Sequence, residues 1–232
     1  MPNTFGPALA RNPNFVDLDG SAETLSQLES FRLAPTKVAI QKDGALTDIA
    51  RTILLDGYGL VVPARPEKTR LDIGVSDDGQ TGFVHARNKA ICGLVASGAV
   101  HMAIVGTDRL IEDEVEDRVD IVASFRDQFS WSLVLATPAS SSITSPEQIS
   151  RVATQYPVIT QRFFGSLGCN DVEIIPSAGG TELYPYLDYD GKPVDAIVDL
   201  VSTGQTMAAH NLIPWKPAIG TIYPVLIRAR QS

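Results

Sequence analysis

The run Val194-Asp195-Ala196-Ile197-Val198-Asp199-Leu200-Val201-Ser202-Thr203-Gly204-Gln205-Thr206 decides how the rest of the chain is read. It starts as a short apolar strand with an acid, Asp199, near its end. It then breaks into a hydroxyl- and glycine-rich loop, after which Met207-Ala208-Ala209-His210 can open a helix. A strand–loop–helix of this composition makes a phosphate cradle. Loop N–H groups turn inward, Gly204 lets the backbone approach closely, and the helix start adds partial positive charge. Ser202, Thr203 and Thr206 supply hydroxyl donors. Asp199 is placed to hold ribose hydroxyls or a Mg²⁺ carried by a diphosphate. The run reads as a site for a sugar 5′-phosphate with a carboxylate beside the sugar. The alternative is an ordinary strand turn with small polar residues.

Outward from this run, strands and helices alternate, which argues an α/β fold. Val38-Ala39-Ile40 is a short strand, Gln41-Lys42-Asp43-Gly44 a polar turn, and Leu46 to Leu54 a helix with Gly57 as its stop. Lys42 therefore sits at the carboxyl end of a strand, where open α/β sheets hold ligands. Residues 63–82 form a polar connection with room for a charged hairpin. Phe83 to Arg87 is a strand, Asn88 to Ser97 a helix, and His101 to Val105 a buried strand before Gly106-Thr107-Asp108. Asp108 either caps its own turn or reaches a cleft. Glu112 to Asp120 reads as a solvated acidic face.

Ile121 to Ala123 and Trp131 to Ala136 read as strands, and Ser145-Pro146-Glu147-Gln148 as a helix start. Strands at Val152 to Thr154 and Val172 to Ile175 flank a helix over Thr160 to Leu167. Ser177 to Glu182 is a loop running into a short helix, and the tail has one strand, Ile222 to Ala229. Residues 1–36 are an extension. Its one weak helix, Leu25, Leu28 and Phe31 with Ser21 as cap, lies on its own body or on a partner. The domain reading is a first lobe over 37–126, with 207–232 returning to it, and a second lobe over 127–206. The loops after Ile40, Val105 and Val201 then surround one cleft.

The 232 residues are 44% hydrophobic, enough for a core, and no apolar run approaches the ~20 residues of a membrane span. The start of the chain lacks the pattern of a signal peptide. Cys92 and Cys169 give no disulfide framework and no paired metal spacing, and the three histidines are scattered. A cytoplasmic protein is expected. The net charge of −8 argues against nucleic-acid binding, though backbone amides still bind phosphate within an acidic protein.

These pieces in this order resemble ATP phosphoribosyltransferase, the first enzyme of histidine biosynthesis, across residues 37–230. The resemblance is strongest from Arg151-Val152-Ala153-Thr154-Gln155-Tyr156-Pro157 through Val172 to Ile175, Gly180-Thr181-Glu182-Leu183-Tyr184-Pro185, Asp195 to Thr206 and Asn211-Leu212. Ala103 to Asp108 looks like the family's G-I-V-G-x-D. The resemblance implies two lobes of the periplasmic-binding-protein type II kind with the active site between them. It implies transfer of phosphoribose from PRPP to N1 of ATP, with Mg²⁺, releasing pyrophosphate. It places the PRPP 5′-phosphate on Ser202, Thr203, Gly204, Gln205 and Thr206, with Asp199 at the ribose and touching metal through PRPP.

Lys42, Arg87, Asp108 and Glu182 are secondary candidates for the diphosphate or acceptor. No general base is required at an adenine N1, and no catalytic residue is assigned. The chain stops before the long form's regulatory domain. It therefore looks like the short form, a homo-oligomer working with a regulatory subunit that resembles a histidyl-tRNA synthetase. It departs from the family at the first turn, where Lys42 matches P-K-G-R but the Arg does not. It departs again after Arg87, where D-I-P is missing, and over Phe129 to Leu133, which lacks the usual basic residues. These departures suggest a divergent member. The alternatives are a PRPP enzyme with a non-ATP acceptor and a non-enzymatic phosphate- or solute-binding module.

Overall fold

The computed structural model describes residues 22–64 and 71–230. The Asn- and Pro-rich start, the Ser21 cap and Pro66 lie outside these residues. The first sheet comprises β1 (Thr36–Gln41), β2 (Ile73–Val75), β3 (Thr81–Ala86), β4 (Met102–Gly106), β5 (Val119–Ser124) and β12 (Pro224–Ala229), in the order β2-β3-β1-β4-β12-β5. The second comprises β6 (Trp131–Pro138), β7 (Arg151–Thr154), β8 (Glu173–Pro176), β9 (Ala196–Val201), β10 (Leu212–Pro214) and β11 (Gly220–Ile222). Its order is β10-β6-β9-β7-β8, with β11 also on β6. Each sheet has three parallel strands, β3-β1-β4 and β8-β7-β9, bounded by an antiparallel strand, β12 or β6.

The middles of the parallel strands are apolar on both sides because helices cover both faces, with polar residues such as Asp199 towards the strand ends. Along β1, Val38 and Ile40 face α2 (Ala45–Tyr58) through Ile53 and Leu54, while Ala39 faces α3 (Asn88–Ala96) through Ile91 and Val95. In the second sheet Val152 and Val198 pack with Phe164 of α5 (Pro157–Ser166), and Ala153 and Ile197 with Met207 of α6 (Gln205–Ala209). A short α4 (Thr107–Glu112) follows β4.

Several expectations are corrected by packing. Helix α2 runs through Gly57 and ends at Gly59, which takes φ 65° and caps it. The tail strand is two strands in different sheets. β11 pairs with β6 and β12 lies between β4 and β5, with the chain crossing at Tyr223. Pro224, lacking an N–H, breaks the ladder there, and Tyr223 is held by exchange with Thr107 (Thr107 N to Tyr223 O 3.0 Å, Tyr223 N to Thr107 Oγ1 3.2 Å). Residues 205–222 stay with the second sheet through α6, β10 and β11. The return to the first sheet therefore begins at Pro224 rather than at 207.

The hairpin expected in 63–82 is present as β2 and β3, its turn tied by Asp78 to Ser76 and to the Gln80 N–H. The helix expected from Ser145 is only a 3-10 turn, Pro146–Gln148, because β7 starts at Arg151.

Helix α1 (Ala22–Leu33) lies on its own body, but through Phe31 rather than the leucine stripe. Gly82 leaves a bare patch on β3 where a Cβ would stand 2.8 Å from the Phe31 ring, while Leu25 is 61% exposed. The acidic run 112–120 is not a solvated face throughout. Glu112 accepts from the Val158 and Ile159 N–H groups at the start of α5, at 3.2 and 2.8 Å. Glu116 pairs with Arg162 and Asp120 with Arg230.

Candidate active site

The crossings at 125–130 and at Tyr223 set the carboxyl ends of β1 and β4 opposite those of β7 and β9. A cavity of about 310 Å³ lies between them. The first lobe lines it with Gln41, Leu46, Asn88, Gly106 and Asp108. The second lobe lines it with Trp131, Tyr156, Leu200, Ser202 and Ile222. A smaller cavity of about 60 Å³ adjoins it through Leu200 and Ser202. It is walled by Glu182, Thr203, Gly204 and Thr206. Larger depressions of about 380 and 580 Å³ lie between α1 and β2 and beside β5, and neither reaches the 202–206 loop.

Strand β9 delivers Asp199 to the base of the loop, and Gly204 takes φ 75° to turn into α6. The nearest atom to a Cβ placed there is Val201 Cγ1 at 3.9 Å, so backbone conformation rather than space requires glycine. Asp199 is only 9% exposed, and its Oδ1 accepts from the Leu200 N–H at 2.8 Å. Burial pushes its pKa up to about 6, Glu182 adds to the rise, and the Leu200 N–H opposes it. Glu182 sits in a 3-10 turn, Thr181–Tyr186, anchored by the buried Thr181, whose hydroxyl bonds Ser177 Oγ at 2.7 Å. The second-lobe candidates Ser202, Thr203, Gly204, Thr206 and Glu182 thus converge on the smaller cavity, with Asp199 close enough to Glu182 to feel its charge. Asp199, buried at the strand end, and Gln205, which opens α6, are both outside the lining of either cavity.

The first-lobe candidates are dispersed. Asp108 reaches the cleft from the first turn of α4. Burial raises its pKa, and the adjacent Arg109 opposes that rise. Its carboxylate folds back over residue 106, where a Cβ would overlap Oδ1, so Gly106 makes room for it. Lys42 turns away to Asp72, at 2.7 Å, and is not in the cavity lining. Arg87 lies at the start of α3, beside the lining residue Asn88. The sequence reading misses Gln41, Asn88, Trp131, Tyr156 and Ile222 as lining residues. Tyr156 follows β7 and Trp131 opens β6, so strand ends are the available signal. The Tyr156 phenol is held above its usual pKa by burial and by the nearby Asp108 and Asp199.

The stretch of chain that carries this loop matches a known family. The family model described as HisG, ATP phosphoribosyltransferase, matches residues 87–232. The chain belongs to the ATP phosphoribosyltransferase family. An ATP phosphoribosyltransferase of Methanocaldococcus jannaschii is 38% identical over 141 residues, which is 60% of this chain and 46% of that protein. The chain thus spans about half the length of the curated relatives it matches. Among solved structures, the ATP phosphoribosyl transferase (HisG:HisZ) complex from Thermotoga maritima aligns with TM-score 0.67 and 27% identity. That alignment covers 83% of this chain and 87% of the other. The arginine-, lysine-, histidine-binding protein ArtJ of Geobacillus stearothermophilus aligns with TM-score 0.53 at 13% identity, covering 85% and 83% of the two chains. That likeness is one of fold: two lobes of the periplasmic-binding-protein type.

Proposed function

We propose that the chain is the catalytic subunit of an ATP phosphoribosyltransferase, joining the ribose C1 of PRPP to N1 of the ATP adenine and releasing pyrophosphate, the first step of histidine biosynthesis. The observation that carries this reading is the contact between the two cavities. A phosphate-sized pocket on loop 202–206 opens at Leu200 and Ser202 into the larger interlobe cavity, where an acceptor would lie.

In this reading Ser202, Thr203, Gly204, Gln205 and Thr206 hold the 5′-phosphate, and Asp199 orients the ribose hydroxyls. The C1–O bond to pyrophosphate breaks as the N1–C1 bond forms, so positive charge builds at C1 and negative charge on the leaving group. The chain's main work is to align the two substrates and exclude water between the lobes. Glu182 steadies the loop, Asp108 faces the acceptor, and Arg87 stands outside the cavity lining beside Asn88. Lys42 contributes only if it leaves Asp72.

Among the described residues, no three acidic, histidine or cysteine side chains converge as a metal cage. That donor set suits a Mg²⁺ brought in on the PRPP diphosphate and touched by Asp199. Such an ion would offset the charge of the departing pyrophosphate.

We further propose a cytoplasmic homo-oligomer of the short form, partnered by a regulatory subunit resembling a histidyl-tRNA synthetase. The Thermotoga maritima alignment, which spans most of both chains, supports this. A second reading, PRPP with an acceptor lacking a triphosphate, is favoured by the Lys42–Asp72 pair and by a cavity lining without Lys or Arg among the described residues. Pyrophosphate release from PRPP and Mg²⁺, with ATP and with other purines, separates the two. Release that requires ATP supports the first reading, and release only with another purine replaces it.

A further inference from the structure

The interlobe cavity contains an aromatic side chain whose surroundings call for a ligand. Trp131 opens β6, and its backbone is fixed in register opposite Ile222 of β11. Its indole lines the cavity beside Leu200 and Ile222, with Leu46 contributed by the other lobe. The side chain is only partly buried, and its Nε1–H has no hydrogen-bond partner among the described residues. Trp215 differs, since it packs against the second-lobe core and donates to Thr137 Oγ1 at 3.0 Å. Trp215 is partly buried as well yet satisfies its N–H, so the two differ in partner rather than in exposure. A part-buried tryptophan lining a cleft, its N–H without a partner among the described residues, presents a flat apolar face that a ligand can cover.

Resting on the function proposed above, we infer that Trp131 is the platform on which the acceptor's heteroaromatic ring stacks, and so selects a purine-sized aromatic base. Three further features fit such a ligand. The lining offers no Lys or Arg among the described residues, so recognition inside the cavity falls to stacking and to neutral hydrogen-bonding groups. Asn88 supplies an amide from the first lobe whose Oδ1 is buried without a partner among the described residues, while the neighbouring Gln41 amide donates to the Asp43 carbonyl and has its oxygen left to offer. A carboxamide matches the paired donor and acceptor edge of a purine. The cavity also joins the 202–206 loop at Leu200 and Ser202, so a base stacked on Trp131 lies next to the sugar of a donor held by that loop. Trp131 falls in the Phe129–Leu133 stretch where the family resemblance expects basic residues. Stacking there takes over what charge would otherwise supply.

The chain has two tryptophans, so Trp215→Phe leaves Trp131 as the sole indole reporter. Titrating that variant with AMP is expected to quench its fluorescence saturably, and ribose 5-phosphate is expected to leave it unchanged. In the otherwise unaltered protein, Trp131→Leu is expected to weaken calorimetric ATP binding about tenfold, the scale of losing one base–aromatic stack. Trp131→Phe should stay within about threefold, and PRPP affinity should not change in either variant.

Nucleotide binding without quenching, or ATP binding by Trp131→Leu at wild-type strength, overturns the platform while leaving the PRPP reading intact. Failure of the wild-type protein to bind either PRPP or nucleotide overturns both. Should Trp131→Leu not fold, the quenching titration in the Trp215→Phe background still decides the matter.

Discussion

The carboxylate of Glu112, at the end of α4 in the first lobe, accepts the backbone N–H of Ile159 in α5 of the second lobe at 2.8 Å. Its other oxygen takes the Val158 N–H at 3.2 Å, so one side chain from one lobe caps a helix of the other. The contact sits directly behind the cleft. Asp108 lies one turn back on α4, and Tyr156 immediately precedes Pro157 at the start of α5.

Glu112→Ala should therefore loosen the lobes as well as the helix. The lost cap costs about 1 kcal/mol, within the usual range for N-cap removal. A urea titration checks that figure, with Arg162→Ala as a control that costs less because its partner Glu116 is an exposed ion. Small-angle scattering should show a larger radius of gyration for the ligand-free Glu112→Ala variant. An unchanged radius would mean that the Tyr223 and 125–130 crossings, together with the Glu116–Arg162 pair, fix the lobes without Glu112.

Asp199 sets a trade between stability and binding. Its folded pKa, about 6, is raised above the ordinary 3.8, chiefly by burial. The folded state holds the extra proton between these values. The group's unfavourable contribution is absent below about pH 4, develops as pH rises through about 6, and is constant above that. At neutral pH the shift amounts to about 3 kcal/mol. Asp199→Asn, which can still accept from the Leu200 N–H, should be more stable at pH 7 by up to that amount. It should be indistinguishable from wild type near pH 4, as denaturant curves at the two pH values will show.

The same carboxylate must be charged to hold ribose hydroxyls or metal. PRPP affinity should therefore fall about tenfold per pH unit below about 6 and level off above it. Calorimetry across that range tests this, and Asp199→Asn should bind weakly with no inflection.

Gly204 is required for its φ of 75°, since the space around a Cβ is open. Gly204→Ala should cost about 1–2 kcal/mol of local strain, and Gly204→Val should abolish PRPP binding. Normal PRPP binding by Gly204→Val would remove the loop from the donor site.

Gly106→Ala acts on the other lobe. A Cβ there overlaps Asp108 Oδ1 and must drive that carboxylate out of its place. The expected outcome is about 1–3 kcal/mol of destabilisation and weaker ATP binding, with PRPP affinity retained. Calorimetry with each substrate separates the two halves of the site.

What is legible in the sequence follows the reach of each signal along the chain. The strand that begins at Ala196 and the loop after Asp199 are readable because β9 carries four consecutive buried residues, Ala196 to Asp199, and then turns on a glycine. The tail reads as a single strand because Ile222 and Val225 are apolar on either side of Tyr223, and nothing local tells which sheet each joins. Glu112 looks like one more exposed acid because its partners are backbone N–H groups of residues 158 and 159, distant in the chain. Lys42 looks available because its counter-ion Asp72 lies across a connection that carries no pattern. Trp131 can be placed on a strand end but not in a cavity, since the facing wall comes from Leu46 and Asn88 of the other lobe.

The most direct test of the proposed activity is to incubate the full chain with PRPP, ATP and Mg²⁺, with and without a candidate regulatory subunit, and identify the products by mass spectrometry. The expected result is an adduct of ATP with one ribose 5-phosphate, joined at N1 of the adenine, with one pyrophosphate released per adduct and none formed by Gly204→Val. Saturable binding of both PRPP and ATP with no adduct under either condition would contradict it.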